Sequence, residues 1–196
     1  MHIISLLLIL LGVKGQKMLF RKNYFILKVI NKLKYYFMRP CQYAKSIGVL
    51  VGNNTIIMTK SFGSEPYLIT IGDNCEITAN VNFVTHDGGV WVIRKLYKKY
   101  KNIDILKPIR LYNNIYIGNN TIVLPGVTIS NNIIIGAGSI VTKSLKVSGV
   151  YAGIPCKYIC TLDEYINKNE KSFSDTKQLN YFEKKEYYNE KSNGLQ

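Results

Sequence analysis

The sequence predicts an all-β protein that folds as a parallel β-helix of hexapeptide repeats, with an amphipathic helix before the repeats and a short helix after them. The first observation is an aliphatic residue at every sixth position of one continuous stretch. This period fits neither the roughly 3.6-residue period of an α-helix nor the two-residue period of a simple strand. The second observation is the asparagine and glycine between the aliphatics, which tolerate the backbone of tight corners. The aliphatic positions are Ile117, Val123, Ile129, Ile135, Val141 and Val147.

The repeats are predicted to occupy residues 45–160, and three six-residue faces would make one triangular coil of about 18 residues. An insertion from Thr59 to Leu68 separates the first register positions from the next ones. The register breaks again at residues 85–108. This loop is longer than compact domains usually contain without a purpose, so we predict that it is functional. The upstream register positions are Val51, Ile57, Ile71, Ile77 and Phe83.

Residues 1–44 are predicted to form a separate segment before the repeats. The apolar run from Ile3 to Val13 is shorter than the roughly 20 residues that span a bilayer, and it lacks the flanks of a signal peptide. This run is either a membrane-associating or packed helix, or it precedes the natural start of the protein at Met18. We favour the second interpretation. From Leu19 to Met38 the pattern is helical, and Arg39-Pro40 is expected to end that helix. It either packs on the β-helix or a neighbouring subunit, which we favour, or lies on a membrane surface.

Residues 161–196 are predicted to form a short helix and a polar tail. Thr161 and Glu164 have the spacing of a capping box, in which each residue accepts a hydrogen bond from the other's backbone amide. The helix is expected to end near Asn167. The stretch from Glu170 to Gln196 is rich in charge, and we expect it to be mobile.

Composition restricts the partners. A chain of 196 residues suits one domain. The net charge of +14 raises the hypothesis of nucleic-acid binding, but lysine is abundant throughout the chain and no zinc-finger or RNP-like pattern is present. We therefore predict no nucleic-acid partner. The four cysteines suggest neither a disulfide framework nor a zinc site, which suits a reducing cytoplasm, and Cys75 is expected in the core.

Two segments carry a resemblance to a known family. The run IGNNTIVLPGVTISNNIIIGAGSIVTKSL, followed by GVYAGIPCKYI, resembles the C-terminal coils of left-handed β-helix hexapeptide-repeat acyltransferases. The upstream run FGSEPYLITIGDNCEITANVNFVTHDGG is similar to the sugar O-acetyltransferases that modify capsular and other surface polysaccharides. The resemblance covers roughly residues 45–160 and supplies the left hand of the helix. It implies acetyl-CoA as acyl donor, a saccharide acceptor, and a homotrimer with each active site between two subunits.

His86 is the candidate catalytic base. It lies in Thr85-His86-Asp87-Gly88-Gly89, where the repeat breaks, and this motif matches the family. Acyl transfer from a thioester to a hydroxyl needs a group that removes the hydroxyl proton, and imidazole suits neutral pH. His2, the other histidine, lies in the segment before Met18. No Ser-His-Asp order or other covalent nucleophile is evident, so direct attack is predicted, and no metal is required.

Four residues are candidates for contact with the acceptor or with His86. Asp87 would support His86, bind a sugar hydroxyl or hold the loop turn, since neighbours in an extended chain point opposite ways. Glu65 is a second candidate partner for His86 through space. The ring of Trp91 suits stacking on a sugar, and Asn82 suits a hydroxyl, although both residue types also serve as anchors or corners. Gly88 and Gly89 predict a turn, and their amides are candidate donors to the oxyanion.

The resemblance also implies the cofactor site, with simple coil geometry as the alternative at each position. Asn119 falls where the family often contacts coenzyme A, and Ala137 leaves room for the pantetheine arm. Thr142 and Lys143 match the family's Thr-Lys pair, whose lysine meets a phosphate. Lys157 matches the basic residue near the adenosine 3′-phosphate, where lysine acts as a point charge.

The acceptor and the activity each leave an alternative open. An amino sugar linked to a nucleotide, or a small molecule such as serine, would make the protein an acetyltransferase with a different acceptor. The alternative that is not an enzyme is a β-helix scaffold that docks on the membrane through residues 19–38. The resemblance favours a cytoplasmic O-acetyltransferase, acting in solution or at the inner face of the membrane.

Overall fold

A computed structural model describes residues 29–193 of the chain, which divides between Cys160 and Thr161 into two compact units. In the first unit, short strands two to four residues long form three sheets. The first sheet has the order β1 (Leu50–Val51), β3 (Ile69–Ile71), β6 (Ile109–Leu111), β9 (Thr128–Ile129). The second has the order β13 (Lys157–Cys160), β12 (Gly149–Ala152), β10 (Ile133–Ile135), β7 (Ile115–Ile117), β4 (Glu76–Ile77), β2 (Ile56–Ile57). The third has the order β11 (Ile140–Val141), β8 (Ile122–Val123), β5 (Asn82–Phe83).

Successive strands along the chain belong to different sheets, as a β-helix requires. All pairs within the sheets are parallel except β12 with β13. Ile117 pairs with Ile135 and Val123 with Val141, so one coil takes 18 residues. The predicted parallel β-helix is confirmed.

The core is one column of inward-facing side chains along the helix axis. Most of the predicted register positions are almost completely buried, and each buried aliphatic side chain stabilises the fold by about 1.5–3 kcal/mol. These buried positions are Ile57, Ile71, Ile77, Phe83, Ile117, Val123, Ile129, Ile135 and Val141.

The register prediction is wrong at Val147. This side chain is 62% exposed, whereas Leu145 is 6% exposed and forms a bridge with Ile129. The last coil therefore reaches the buried position four residues after Val141 rather than six. Tyr151 then pairs with Ile135 after only 16 residues, because the chain is shorter at this corner.

Asparagines hold the corners in two ways. At one corner, Asn74, Asn114 and Asn132 have φ values of 54°, 57° and 60°, which few other residue types accept. Their preceding neighbours hydrogen-bond from coil to coil: the Asp73 amide donates to Asn113 Oδ1, and the Asn113 amide donates to the oxygen of the next such side chain, Asn131 Oδ1, both at 2.8 Å. The predicted use of asparagine at corners is confirmed.

Helical segments precede the coils. Residues 29–37 are helical (α1), and α2 spans Pro40–Ser46. The predicted end at Arg39-Pro40 is confirmed, and the proline also begins the second helix, a position where its missing N–H costs nothing. The predictions for residues 1–28, including the apolar run, His2 and Met18, lie outside the described residues. Within residues 29–193, the structure contains no helix of the length and apolarity that crossing a membrane demands.

Within the first unit, residues 85–108 contain the helix α3 (Val90–Leu96). The second unit contains two helices, α4 (Leu162–Asn169) and α5 (Tyr181–Asn193), and a 3₁₀ turn at Glu170–Ser172. The predicted capping box is confirmed: the Glu164 amide donates to Thr161 Oγ1, and the Thr161 amide donates to Glu164 Oε2. The helix α5 lies where charge predicted a mobile tail. A second capping box, formed by Asn180 and Glu183, begins it.

Candidate active site

The loop at residues 85–108 is closed at its base by backbone pairing. The Asp87 amide donates to Ile105 O at 3.0 Å, the Lys107 amide donates to Thr85 O at 2.9 Å, and His86 bridges Leu106. Between these paired segments lie the helix α3 (Val90–Leu96) and a 3₁₀ turn at Lys98–Tyr100. The segment that interrupts the repeat at residues 85–108 is therefore partly helical.

A second segment approaches the loop base from the insertion that the sequence predicted at residues 59–68. Phe62 is buried and its ring stacks on Phe83, with 5.7 Å between centroids. Gly63 has a φ of +66°, and a Cβ there would lie 2.7 Å from Thr85 Oγ1. Glycine at this point therefore lets the backbone pass close enough to bring Glu65 beside His86.

One oxygen of the Glu65 carboxylate, Oε2, contacts two residues at the start of the loop. His86 Nδ1 lies 3.0 Å from Glu65 Oε2, and Thr85 Oγ1 donates to that oxygen at 2.6 Å. The Glu65 side chain is 17% exposed and that of His86 is 41% exposed. The hydrogen bond from Thr85 contributes most, with further contributions from His86, to holding the pKa of the Glu65 carboxyl below its ordinary value.

This contact determines which nitrogen of His86 is available. An ionised carboxylate accepts hydrogen bonds and donates none, so Nδ1 carries the hydrogen in the pair. In a neutral imidazole the other nitrogen, Nε2, then holds the lone pair. Since His86 is only partly buried, Nε2 is the nitrogen that can accept a proton from a bound molecule.

Asp87 holds the loop turn, which is one of the three roles predicted for it. Its Oδ1 accepts the Gly89 amide at 2.8 Å, at the start of the turn that leads into α3. The predicted turn at Gly88 and Gly89 is present, and the Gly89 amide is engaged within it. Among the described hydrogen bonds, the Gly88 amide donates to no other group.

His86 lies in the wall shared by two depressions. The aromatic depression, of about 450 Å³, is also lined by Glu65, Tyr67, Trp91, Arg94 and Asp104. The apolar depression, of about 430 Å³, is also lined by Val84, Leu124 and Pro125 and by one cation, Lys107. Asp87, Gly88 and Ile105 line both. One imidazole therefore borders two cavities of different chemistry.

Three of the residues that bring these walls together were not predicted. Arg94 Nη1 pairs with Asp104 Oδ1 at 3.2 Å, which ties α3 to the segment that returns to the coils, and Tyr67 comes from the inserted segment. Their charges and ring are visible in the sequence, but their proximity depends on how the loop folds back. Trp91 is 60% exposed, as a stacking surface for a ligand requires.

Asn82 lies elsewhere in this chain. It lines a third depression, of about 650 Å³, together with Tyr35, Lys60 and Asn80, and its Oδ1 accepts a hydrogen bond from Ser61 Oγ. His86 does not line that depression. Within one chain, the structure therefore does not bring Asn82 to the imidazole.

The residues predicted to bind the cofactor lie on the C-terminal coils, away from both His86 depressions of the same chain. Asn119 Oδ1 accepts the Ala79 amide at 3.1 Å, so this side chain already holds a corner. The other four, Ala137, Thr142, Lys143 and Lys157, are exposed. Among residues 29–193, no three His, Cys, Asp or Glu side chains gather where they would hold a metal ion.

Comparison with known proteins identifies the family. No family model matches the chain. It is 49% identical over 146 residues to Protein CapG of Staphylococcus aureus, covering 73% of this chain and 83% of that protein. It is 35% identical over 126 residues to the galactoside O-acetyltransferase of Escherichia coli K12, covering 64% of this chain and 60% of that one. This chain belongs to the hexapeptide-repeat acetyltransferases. The members of this family among the solved structures are left-handed β-helices, and this chain has the same fold.

A solved galactoside acetyltransferase in complex with coenzyme A is one such structure. Its TM-score to this chain is 0.55 at 26% identity, and the match covers 72% of this chain and 82% of that one. This hexapeptide-repeat acetyltransferase is accordingly an acetyl-CoA-dependent O-acetyltransferase, as the sequence predicted. The predicted cofactor, acetyl-CoA, is the acyl donor of this class.

Proposed function

We propose that this enzyme acetylates a sugar hydroxyl of a surface polysaccharide or its precursor, with His86 as general base. The observation that carries the proposal is the position of His86: Nδ1 is held by Glu65, and the imidazole borders both depressions. The 35% identity to a galactoside O-acetyltransferase supports a sugar as acceptor. The resemblance of residues 45–160 to polysaccharide-modifying enzymes supports the polymer or its precursor.

The two depressions suit the two substrates. The aromatic depression offers Trp91 and Tyr67 for the apolar face of a sugar ring and Ser64 for its hydroxyls. The apolar depression offers Val84, Leu124 and Pro125, whose surfaces suit the methyl group and the thioester end of acetyl-CoA. An acceptor hydroxyl and the thioester carbon would then meet at His86.

The reaction follows from this arrangement. His86 Nε2 takes the proton of the sugar hydroxyl as its oxygen attacks the thioester carbonyl. The tetrahedral oxyanion is stabilised by the Gly88 amide, which borders both depressions. The intermediate collapses, the C–S bond breaks, and protonated His86 returns the proton to the coenzyme A thiolate. Glu65 and Thr85 position the ring and stabilise its cationic form through the ionised carboxylate.

Coenzyme A would be held by the C-terminal coils. Lys143 and Lys157 are exposed cations that suit its phosphates, Thr142 adds a hydroxyl, and the small Ala137 leaves the backbone accessible. Asn119 would support this groove through its corner contact. These residues line neither depression at His86 of the same chain. A homotrimer with each site between two subunits would bring them to a neighbour's His86, and would likewise give Asn82 an acceptor-binding role.

The supply of acetyl-CoA favours a cytoplasmic location, at the inner face of the membrane if the acceptor is linked to a lipid. All four cysteines are free thiols, which suits a reducing compartment. In α1, the apolar side chains of Leu33 and Phe37 are 52% and 83% exposed. This exposure fits a helix that packs on a neighbouring subunit or on a membrane surface.

The test is acceptor-dependent release of coenzyme A from acetyl-CoA, measured as free thiol with a panel of mono- and oligosaccharides. We expect His86→Ala to lower kcat by about 10²–10⁴-fold while the melting temperature and oligomer size stay unchanged. His2→Ala, which removes the other histidine of the chain, is the matched control and should retain full activity. Equal turnover by wild type and His86→Ala would refute the mechanism.

A further inference from the structure

The loop that carries the aromatic depression is strongly basic. Residues 85–108 contain six basic side chains and two acidic ones. Asp104 pairs with Arg94, and Asp87, whose carboxylate accepts the Gly89 amide, forms no ion pair with a described lysine. Among the described residues, no carboxylate lies within salt-bridge distance of the loop lysines. The loop therefore presents a concentration of unneutralised positive charge beside the site.

These lysines surround a depression of their own. The basic depression, of about 430 Å³, is lined by Trp91, Arg94, Lys95, Lys98 and Lys101. Trp91 and Arg94 also line the aromatic depression that contains His86. The two depressions are thus adjacent and share two walls. Lys95 Nζ lies 5.6 Å from the centroid of the Trp91 ring, so cationic and aromatic surfaces alternate along the path.

From this geometry we infer that the acceptor is an anionic saccharide, with carboxylate or phosphate groups that extend from the acetylated ring over Trp91 to Lys98 and Lys101. The inference rests on the proposed function and specifies its substrate class. Lysines that lack a nearby carboxylate repel one another and destabilise the fold, and a bound anion relieves this repulsion. A neutral glycan would leave these lysines unused.

Two other anions fit less well. A bilayer surface is flat and cannot enter a concave depression, whereas a saccharide chain can. The phosphates of coenzyme A have candidate partners on the C-terminal coils, at Lys143 and Lys157, and the thioester side of His86 is the apolar depression. The experiment distinguishes a membrane and coenzyme A from a saccharide as the partner of these lysines.

Trp91 gives a direct signal, because it is the only tryptophan in the chain. We would titrate the full-length enzyme with pairs of sugars in which one member carries an added anionic group, and follow tryptophan fluorescence. The pairs are glucose with glucuronic acid, galactose with galacturonic acid, and glucose with glucose 1-phosphate. The uronic acids test the carboxylate source of charge and the sugar phosphate tests the phosphate source. Coenzyme A release is measured with the same compounds.

We expect the anionic member of at least one pair to change Trp91 fluorescence at a lower concentration than the neutral member. The double variant Lys98→Gln/Lys101→Gln should raise the KM for that anion by about three- to tenfold, with kcat and the KM for acetyl-CoA unchanged. Salt at 1 M, where the Debye length falls to about 3 Å, should likewise raise the concentration of the anion that the wild type needs and leave the response to its neutral partner sugar unchanged. Lys185→Gln, an exposed lysine of the second unit, is the matched control.

Other outcomes overturn the inference in recognisable ways. Equal response to charged and neutral sugars, with normal coenzyme A release, would refute the anionic acceptor and leave the proposed function intact. A raised KM for acetyl-CoA in the double variant would assign the lysines to the cofactor. A Trp91 response to anionic phosphatidylglycerol vesicles but to no sugar would assign them to a membrane. If anions bind but no acceptor causes the release of coenzyme A from acetyl-CoA, the proposed function itself is refuted.

Discussion

The coils and the loop that interrupts them use sequence in opposite ways. From residue 109 to residue 145, equivalent positions recur along the chain and the same kinds of residue fill the same places. In residues 85–108 nothing recurs, and the exposed side chains include an imidazole, an indole and several lysines. A repeating surface offers the same groups at every coil, whereas group transfer needs unlike groups at one point. We therefore propose that the repeat supplies the stability of the fold and that its interruption supplies the catalytic groups.

The sharpest test of this division removes the loop. Asp87 and Ile105 are hydrogen-bonded across the loop base, so an Asn-Gly turn can replace residues 88–104. We expect the coils to fold with nearly the same melting temperature, because their core lies outside the loop. Acetyl transfer should fall by about 100-fold or more, since Trp91 and Arg94 no longer position the acceptor. Thermal unfolding and coenzyme A release are the two measurements.

A large drop in melting temperature, or full retention of activity, would contradict the division of roles between coils and loop. The first result would mean that the loop stabilises the coils, and the second that it has no part in catalysis.

The converse test creates a cavity in a coil. Ile135 is completely buried on β10, and its neighbour Ile134 points outward and is half-buried. Ile135→Ala should lower the free energy of unfolding by about 2–5 kcal/mol, because it leaves a cavity in a close-packed column. Ile134→Ala is the matched control and should cost clearly less. Denaturant titration measures both, and equal losses would argue against the inward-facing column.

The smallest expected effect concerns Glu65, where coil and loop meet. Glu65→Gln keeps the size of the side chain and an oxygen for Nδ1 but removes the charge that stabilises the imidazolium. We expect kcat to fall by about tenfold with the KM for acetyl-CoA unchanged. A merely structural role would leave kcat at the wild-type value. Steady-state kinetics in both substrates separates these outcomes.

The same variant has a pH signature in stability. The pKa of the Glu65 carboxyl is lowered in the fold, chiefly by the hydrogen bond from Thr85. The ionised carboxylate therefore stabilises the fold, and its contribution to the free energy of unfolding is fully present above the ordinary pKa of glutamate. The contribution is lost as pH falls through the lowered value. The stability difference between wild type and Glu65→Gln should therefore narrow in acid. A difference that is constant from neutral to acid pH would contradict this linkage.

The sequence by itself determined most of the frame. The six-residue period identified Ile117, Ile135 and their equivalents as core, because a buried position in a repeat must be apolar each time it recurs. Pro40 and the pair Thr161 and Glu164 marked helix ends through rules that act within a few residues. The break at His86 was visible for the same reason, as a place where a regular pattern stops.

Only the tertiary structure decided what surrounds His86. Glu65 lies 21 residues earlier in the chain, and it reaches the imidazole because Gly63 lets the backbone pass close to Thr85. Leu145 replaces Val147 in the core because the last coil turns early. Where the six-residue period is unbroken, the local pattern identifies which residues are buried, and short-range signals mark where helices end. The meeting of distant side chains depends on how an irregular loop folds back, and no period in the sequence records that path.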